Sequence, residues 1–355
     1  MIRLSAADAI SPAIHRTRDF LFRPFRLGSY LKLCLVAVLT EGLGGNGNFS
    51  TPSGGHGHGS TSTHHSSFAG PIHWNADWLV VLGVAVVLIL VLGILIAYLI
   101  TRLRFAWFHC LIHNTREIRP GWHLYRDQAM RFFLLNVVVG LCFLFLLGLI
   151  LLPFAAGFFR LYRQTQAGGH PDIGLILALV LPLIPIILLF VLVAVAVDLI
   201  LRDFMLPHFA LEDATAGEAW HAVWARIAVE KGGFFVYALL RLVLPVVAMI
   251  GIFIVLAIPA IIFIGITVVL EIAIHAAFAN AGALVAAAGL LFEVLIGITA
   301  AVIAMLLGIC IGGPLSTAVR QYALLFYGGR YQQLGDILSP PPPPAPAVPV
   351  APEMA

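Results

Sequence analysis

The stretch Leu201–Gly233 reads LRDFMLPHFALEDATAGEAWHAVWARIAVEKGG and is the longest mixed-polar run between two very apolar segments. Thr215 and Glu218 stand at the S/T-x-x-E spacing of a capping box, which predicts a helix start there. Trp220, Val223, Trp224 and Ile227 follow at i, i+3, i+4 and i+7, so all four share one stripe. Glu218, Ala222, Ala225, Arg226 and Glu230 face elsewhere, and Gly232-Gly233 supplies a stop. An indole has one wet and one apolar side, which suits the water–lipid boundary. Trp220, Trp224 and Arg226 are therefore expected at the membrane interface. The helix that carries them would end one membrane hairpin and aim the next.

Composition agrees with a chain dissolved in lipid. Charged residues make up 10% of it and hydrophobic ones 61%, with a mean hydropathy of +1.01. A soluble chain carries about a quarter charged residues, enough to cover a globule with polar surface. The formal net charge of +3 is too small to suggest nucleic-acid binding. Cys34, Cys110, Cys142 and Cys310 are scattered with no CxxC pair, so neither a disulfide framework nor a thiolate metal site is indicated. No phosphate-binding loop, HExxH, GxSxG or paired-carboxylate motif occurs. The residues call for no cofactor, and the chain reads as non-enzymatic.

Outward from the opening stretch, the flanking runs predict an all-α polytopic protein of about six transmembrane helices, with amphipathic interfacial helices on the cytoplasmic face. Residues 1–26 form a basic amphipathic segment in which Ile14, Thr17 and Leu21 share a face. The spans are expected near 27–43, 78–101, 132–153, 173–200, 234–258 and 284–311. The first is short, and a re-entrant turn is its alternative. The strongest is Ile173–Val197, where 19 of 25 residues are Leu, Ile, Val or Phe. At roughly 0.3–0.6 kcal/mol each, that favours insertion by about 5–10 kcal/mol. Residues 259–279 read as a re-entrant piece or an extra span. Residues 44–76 form a Gly/Ser/His-rich external loop, and 339–355 a proline-rich disordered tail with eight prolines.

Charge sets the orientation. Lys and Arg number six in 1–32, none in 44–76, six in 102–131, two in 153–172, four in 201–241 and two in 312–355. Rich and poor stretches alternate across successive runs, which places the N-terminus in the cytoplasm of a multi-pass cell-membrane protein. Arg320 and Arg330 place the C-terminus there too. Arg241 is expected to snorkel to the headgroups, and Asp198 to pair with Arg202 four residues on. Gly121-Trp122-His123 before Arg131-Phe132-Phe133 repeats faintly as Ala219-Trp220-His221 before Gly233-Phe234-Phe235. Each outbound span would then follow a cytoplasmic surface helix.

Phe22–Lys32 (FRPFRLGSYLK), Asp203–Trp220 (DFMLPHFALEDATAGEAW) and Pro314–Tyr322 (PLSTAVRQY) resemble an uncharacterised six-helix bacterial and archaeal membrane protein family. That family is similar to the membrane domain fused to some glycerophosphoryl diester phosphodiesterases. The resemblance implies a multi-pass fold and a cell-membrane location, and supplies no catalytic residues. No soluble barrel domain is present here, so a phosphodiesterase activity is not implied.

Two groups carry candidate chemistry. His56, His58, His64, His65 and His73 lie in the external loop, where imidazoles bind Zn, Cu or Ni; a polar linker is the alternative reading. Glu271 and His275 share a helix face, with Glu293 in the next apolar run, as a proton- or ion-handling group would require. The alternative sets these three at the outer membrane face, in water. Two functions follow from the sequence. The first is a membrane-organising or partner-assembly protein, whose partners are the lipid bilayer and proteins not identified, with no nucleic acid. The second is a transporter of a small solute or ion that uses helices broken at Pro182, Pro185, Pro245 and Pro259.

Overall fold

The computed structural model describes residues 3–42, 76–166, 173–278 and 283–339, and every regular element among them is helical. In chain order they are α1 (Ile10–Phe22), α2 (Leu27–Ala37), α3 (Ala76–His113), α4 (Ile118–Leu124) and α5 (Arg126–Gln166). Next come α6 (Ile173–Leu199), α7 (Leu206–Leu211), α8 (Ala216–Val229), α9 (Lys231–Phe278), α10 (Ala283–Gly328) and α11 (Gln332–Leu338). Two π-helical turns interrupt the α-helical path, Val38–Gly42 after α2 and Ile200–Met205 after α6.

Among the described residues, five helices are long and apolar enough to cross a membrane: Val80–Ile112, Arg126–Gln166, Ile176–Leu211, Lys231–Phe278 and Ala288–Gly328. Each has one end in a single packed body. Burial in α3 begins at Thr101, in α5 it is confined to Ala129, Phe132 and Phe133, and in α9 to Phe234 and Tyr237. In α10 the buried face includes Ile309, Thr317, Val319 and Arg320 through Tyr327. Beyond that body the apolar side chains of all five helices stand exposed, from Val80 to Leu95 on α3 and from Val246 to Ile272 on α9. This follows from composition. Lipid tails solvate Leu, Ile and Val as well as a neighbouring helix does, so the spans gain little by packing together. The segments with polar backbone ends and charged side chains must instead satisfy one another, and they collect in the body.

The helix directions alternate. α3, α6 and α10 enter the body at their C-terminal ends, and α5 and α9 leave it at their N-terminal ends. α9 and α10 form an antiparallel hairpin along their whole length. Tyr237 stacks on Tyr322 with ring centroids 5.2 Å apart at one end, and His275 Nδ1 lies 3.1 Å from Glu293 Oε1 towards the other. Residues 259–279 thus continue α9 as one helix of 48 residues, about 72 Å long. Arg241 and Glu271 are 30 positions apart on it, about 45 Å, which matches a bilayer with its headgroup layers.

The expected first span, 27–43, is not among the five. It is an 11-residue helix continued by a five-residue π turn, about 24 Å in all, short of a hydrocarbon core of about 30 Å. Tyr30, Leu33, Cys34, Val36, Ala37 and Thr40 are buried, and Tyr30 donates its hydroxyl to the Cys310 carbonyl at 2.8 Å. Gly313 makes this contact possible, because a Cβ there would lie 2.6 Å from the Cα of Cys34. Arginine side chains close several helix ends of the body by donating to unpaired carbonyls. Arg116 caps α1 through Phe20 O (2.7 Å) and Arg23 O (2.6 Å), and Arg16 reaches Leu111 O (3.2 Å) and Leu338 O (3.4 Å).

Candidate functional site

Both π turns face the same place. A π turn adds a residue to the helical ladder and turns side chains away from their regular direction, and such turns recur at functional sites. Thr40 and Glu41 come from the first, Arg202 and Asp203 from the second. Between them sits a cluster of ionised groups at the level where the long helices emerge from the body.

Asp203 is its centre and is 1% exposed. Its Oδ1 accepts from Arg320 Nη1 at 2.9 Å, and its Oδ2 from Arg241 Nε at 2.9 Å and from the Tyr237 hydroxyl at 2.7 Å. Glu41 bridges the same two arginines, with Oε2 3.3 Å from Arg241 Nη2 and Oε1 3.8 Å from Arg320 Nε. Arg320 also donates to the Arg202 carbonyl at 2.9 Å. Arg202 lies 2.7 Å from Asp198, the i,i+4 pair that the sequence spacing implies. Arg104 of α3 donates its Nε to the Thr40 carbonyl at 3.1 Å. Four arginines thus meet three carboxylates. Charges in such a setting persist only when each carboxylate is bonded by several donors, as Asp203 is.

A second polar group lies deeper in the body. His208 Nε2 is 2.8 Å from the Tyr327 hydroxyl and 3.2 Å from Arg226 Nη1, while Nδ1 is 2.8 Å from Glu212 Oε2. A guanidinium can only donate, so Nε2 accepts and the ring proton sits on Nδ1, directed at Glu212. Burial works against the Glu212 carboxylate, yet the bonds from His208 and Tyr331 hold it below its usual range. His208 and Tyr327 are fully enclosed, and this group ties α7, α8 and α10 together with Glu212 at its exposed edge. Arg330 makes a two-pronged bond to Glu230, at 2.6 and 2.8 Å, and its Nη1 reaches the Leu4 carbonyl at 3.1 Å.

The residues singled out from the sequence fall in three places. The capping box is present, with Thr215 and Glu218 exchanging bonds, and Trp220 and Trp224 are exposed and stacked 6.0 Å apart. Arg226, expected to face the interface with them, turns inward to His208 and lies over the Tyr331 ring. Its correction has a simple cause: Arg226 is on the α8 face opposite Trp224, and that face meets α7. His275 and Glu293 are brought into contact at the far end of the α9–α10 hairpin, with Glu271 facing Gly297 nearby. His275 is 77% exposed there. His56, His58, His64, His65 and His73 lie outside the described residues. No group of three or more metal-ligating side chains occurs among the described residues.

Sequence reasoning missed the cluster. Arg241 does not snorkel but is bonded by Asp203 and Glu41. Glu41 and Arg320 read as residues at the ends of apolar runs, although Asp203 and Arg320 each lie in one of the three motif stretches. Two open grooves of about 470 and 680 Å³ flank Asn114 between α1 and the α3–α4 turn. Of their arginines, Arg16 and Arg116 are engaged in capping and Arg23 pairs with Asp19 at 3.4 Å.

The fold and the cluster define a helical protein with the features of a multi-pass membrane protein: five apolar helices rooted in one body by an ionic knot. The chain belongs to the family of unknown function DUF7544, whose model matches residues 4–337. No curated protein and no solved structure matches it. Nothing found links it to the membrane domain of glycerophosphoryl diester phosphodiesterases.

Proposed function

We propose that the protein is a non-enzymatic, membrane-organising platform whose body lies at the cytoplasmic face of the cell membrane and gathers anionic lipid. The observation that carries this is the rim of the body, where exposed basic and apolar side chains alternate. Phe22, Phe25 and Leu27 stand beside Arg26 and Lys32, Leu124 beside Arg119 and Arg126, and Trp220 and Trp224 precede Lys231. Such pairs suit a headgroup layer, in which each basic residue near anionic lipid contributes about 1 kcal/mol. The rim includes two short helices that each precede a long apolar one, α4 before α5 and α8 before α9. Most arginines lie on the body side, which supports the cytoplasmic placement. Because α1 and α11 both pack on the body, both flanks of the chain share that side.

The test uses the purified protein in vesicles of phosphatidylcholine with a small fraction of fluorescent phosphatidylglycerol. Gathering is expected to quench the label at constant lipid composition, and replacing Arg26, Lys32, Arg119 and Arg126 by Gln should abolish the quenching. Unchanged quenching after those replacements overturns the reading. The contact between His275 and Glu293 favours the second reading, a small-solute or ion transporter. A proton flux into the same vesicles that disappears in Glu271→Gln/Glu293→Gln would establish transport instead.

A further inference from the structure

The ionic cluster is one negative charge short. Both oxygens of Asp203 are taken by Arg241, Arg320 and Tyr237, both oxygens of Glu41 face Arg241 and Arg320, and Asp198 faces Arg202. Arg104 makes no ion pair. Its single hydrogen bond runs from Nε to the Thr40 carbonyl, which fixes the guanidinium plane and leaves Nη1 and Nη2 without partners. Neither terminal nitrogen is sealed in the interior, although the side chain as a whole is half-buried. Nearby, Arg202 adds a second guanidinium, paired through its Nε with Asp198 at 2.7 Å.

Position narrows what can fill the gap. Thr101, one turn before Arg104, is the first buried residue after the exposed apolar run that begins at Val80, and that run ends just above it. Arg104 therefore sits where the apolar run of α3 gives way to the body, the depth at which a membrane around that run would place phospholipid phosphates. A guanidinium held flat by one bond, with its two terminal N–H groups in parallel, matches two oxygens of a phosphate.

We propose that Arg104, supported by Arg202, binds the phosphate of one anionic phospholipid, which completes the charge balance of the cluster. The site rests on the platform reading only for its depth in the membrane. It is a single saturable site in the fold rather than a property of the rim.

The protein in a neutral maltoside detergent is titrated with dioctanoyl phosphatidylglycerol, dioctanoyl phosphatidylcholine or inorganic phosphate while its thermal midpoint is followed. Phosphatidylglycerol is expected to raise the midpoint and saturate, and phosphatidylcholine to leave it in place. Arg104→Gln should weaken the half-saturation concentration about tenfold or more, the scale of a hydrogen bond to a charged group. Arg160→Gln, a change at the exposed far end of α5, should not alter it. Equal response in Arg104→Gln, or no saturable response in the unaltered protein, overturns the site. If inorganic phosphate gives the same saturating shift, the lipid is overturned as its source and a soluble phosphate takes its place. Should Arg104→Gln fail to fold, native mass spectrometry of the unaltered protein offered both lipids equally decides the matter. One retained phosphatidylglycerol per chain is expected, and random retention refutes the proposal. The vesicle quenching of the platform test depends on Arg26, Lys32, Arg119 and Arg126, so either idea can fail without the other.

Discussion

Replacing Asp203 by Ala removes the acceptor of three bonds at once and leaves Arg241, Arg320 and Tyr237 facing a void. Removing one partner of a buried ion pair costs about 3–5 kcal/mol, because the other charge is left desolvated. Asp203 serves two such arginines, but Glu41 stays within 3.3 Å of one and 3.8 Å of the other, so the two losses do not simply add. The expected cost is about 5 kcal/mol. At about 2 °C per kcal/mol for a chain of this size, the unfolding midpoint should fall by about 10 °C. The body supplies its own reporters: Cys34 and Cys110 are buried free thiols, whereas Cys142 is exposed and Cys310 half-buried. In a Cys142→Ser/Cys310→Ala background, a thiol-reactive fluorophore therefore reads opening of the body and nothing in the spans. Asp203→Asn keeps the size and an acceptor oxygen and should lose about half as much. Converting the group around Asp203 to uncharged residues (Glu41→Gln, Asp203→Leu, Arg241→Met, Arg320→Met) should recover much of the loss, since neither Arg241 nor Arg320 is then left as a stranded charge. An Asp203→Ala midpoint within about 2 °C of the unaltered protein would show that water reaches the cluster and that the desolvation argument is wrong.

The Glu230–Arg330 pair gives a pH prediction. Bonds from Arg330 hold the Glu230 carboxyl below its usual range, against the opposing effect of burial. A carboxyl with a lowered folded pKa adds stability above its unfolded value, and that stability fades as pH falls through the folded value. The midpoint difference between unaltered protein and Arg330→Gln should thus be constant above about pH 5.5 and shrink below about pH 4. Glu230 is 40% exposed, so solvent keeps this part under about 1 kcal/mol; a difference that grows on acidification refutes the assignment. Gly313→Ala should lower the midpoint by the cost of overpacking, about 1–3 kcal/mol, because the new methyl meets the backbone of α2 at Cys34. Gly308→Ala, where a methyl finds open space, is its control and should be near neutral.

Some of this molecule could be read in one dimension because the relevant physics is local. The capping box at Thr215 and Glu218 needs only the three-residue spacing, and the Asp198–Arg202 pair only one helical turn. The apolar runs are long because a bilayer is thick, so Trp78–Thr101 and Ile173–Val197 announce helices whatever surrounds them. The sequence failed where a partner lies far along the chain. Leu27–Gly42 has the composition of a short span, but its fate depends on Gly313, nearly three hundred residues away, and on the pull of Arg241 and Arg320 on Glu41. Arg226 reads as interfacial from its place beside Trp220 and Trp224 in the chain, and only the packing of α8 on α7 shows that its own face meets His208.

Hydrophobicity by itself settled that the chain is helical and built to dissolve in lipid, since no other solvent accepts so many apolar residues with so few charges. Which charges sit in the interior was settled by tertiary structure alone. Glu41, Arg104, Asp203, Arg241 and Arg320 come from five separate elements. An ion pair is favourable in a low-dielectric interior only when several donors and acceptors converge, and convergence is a property of three dimensions.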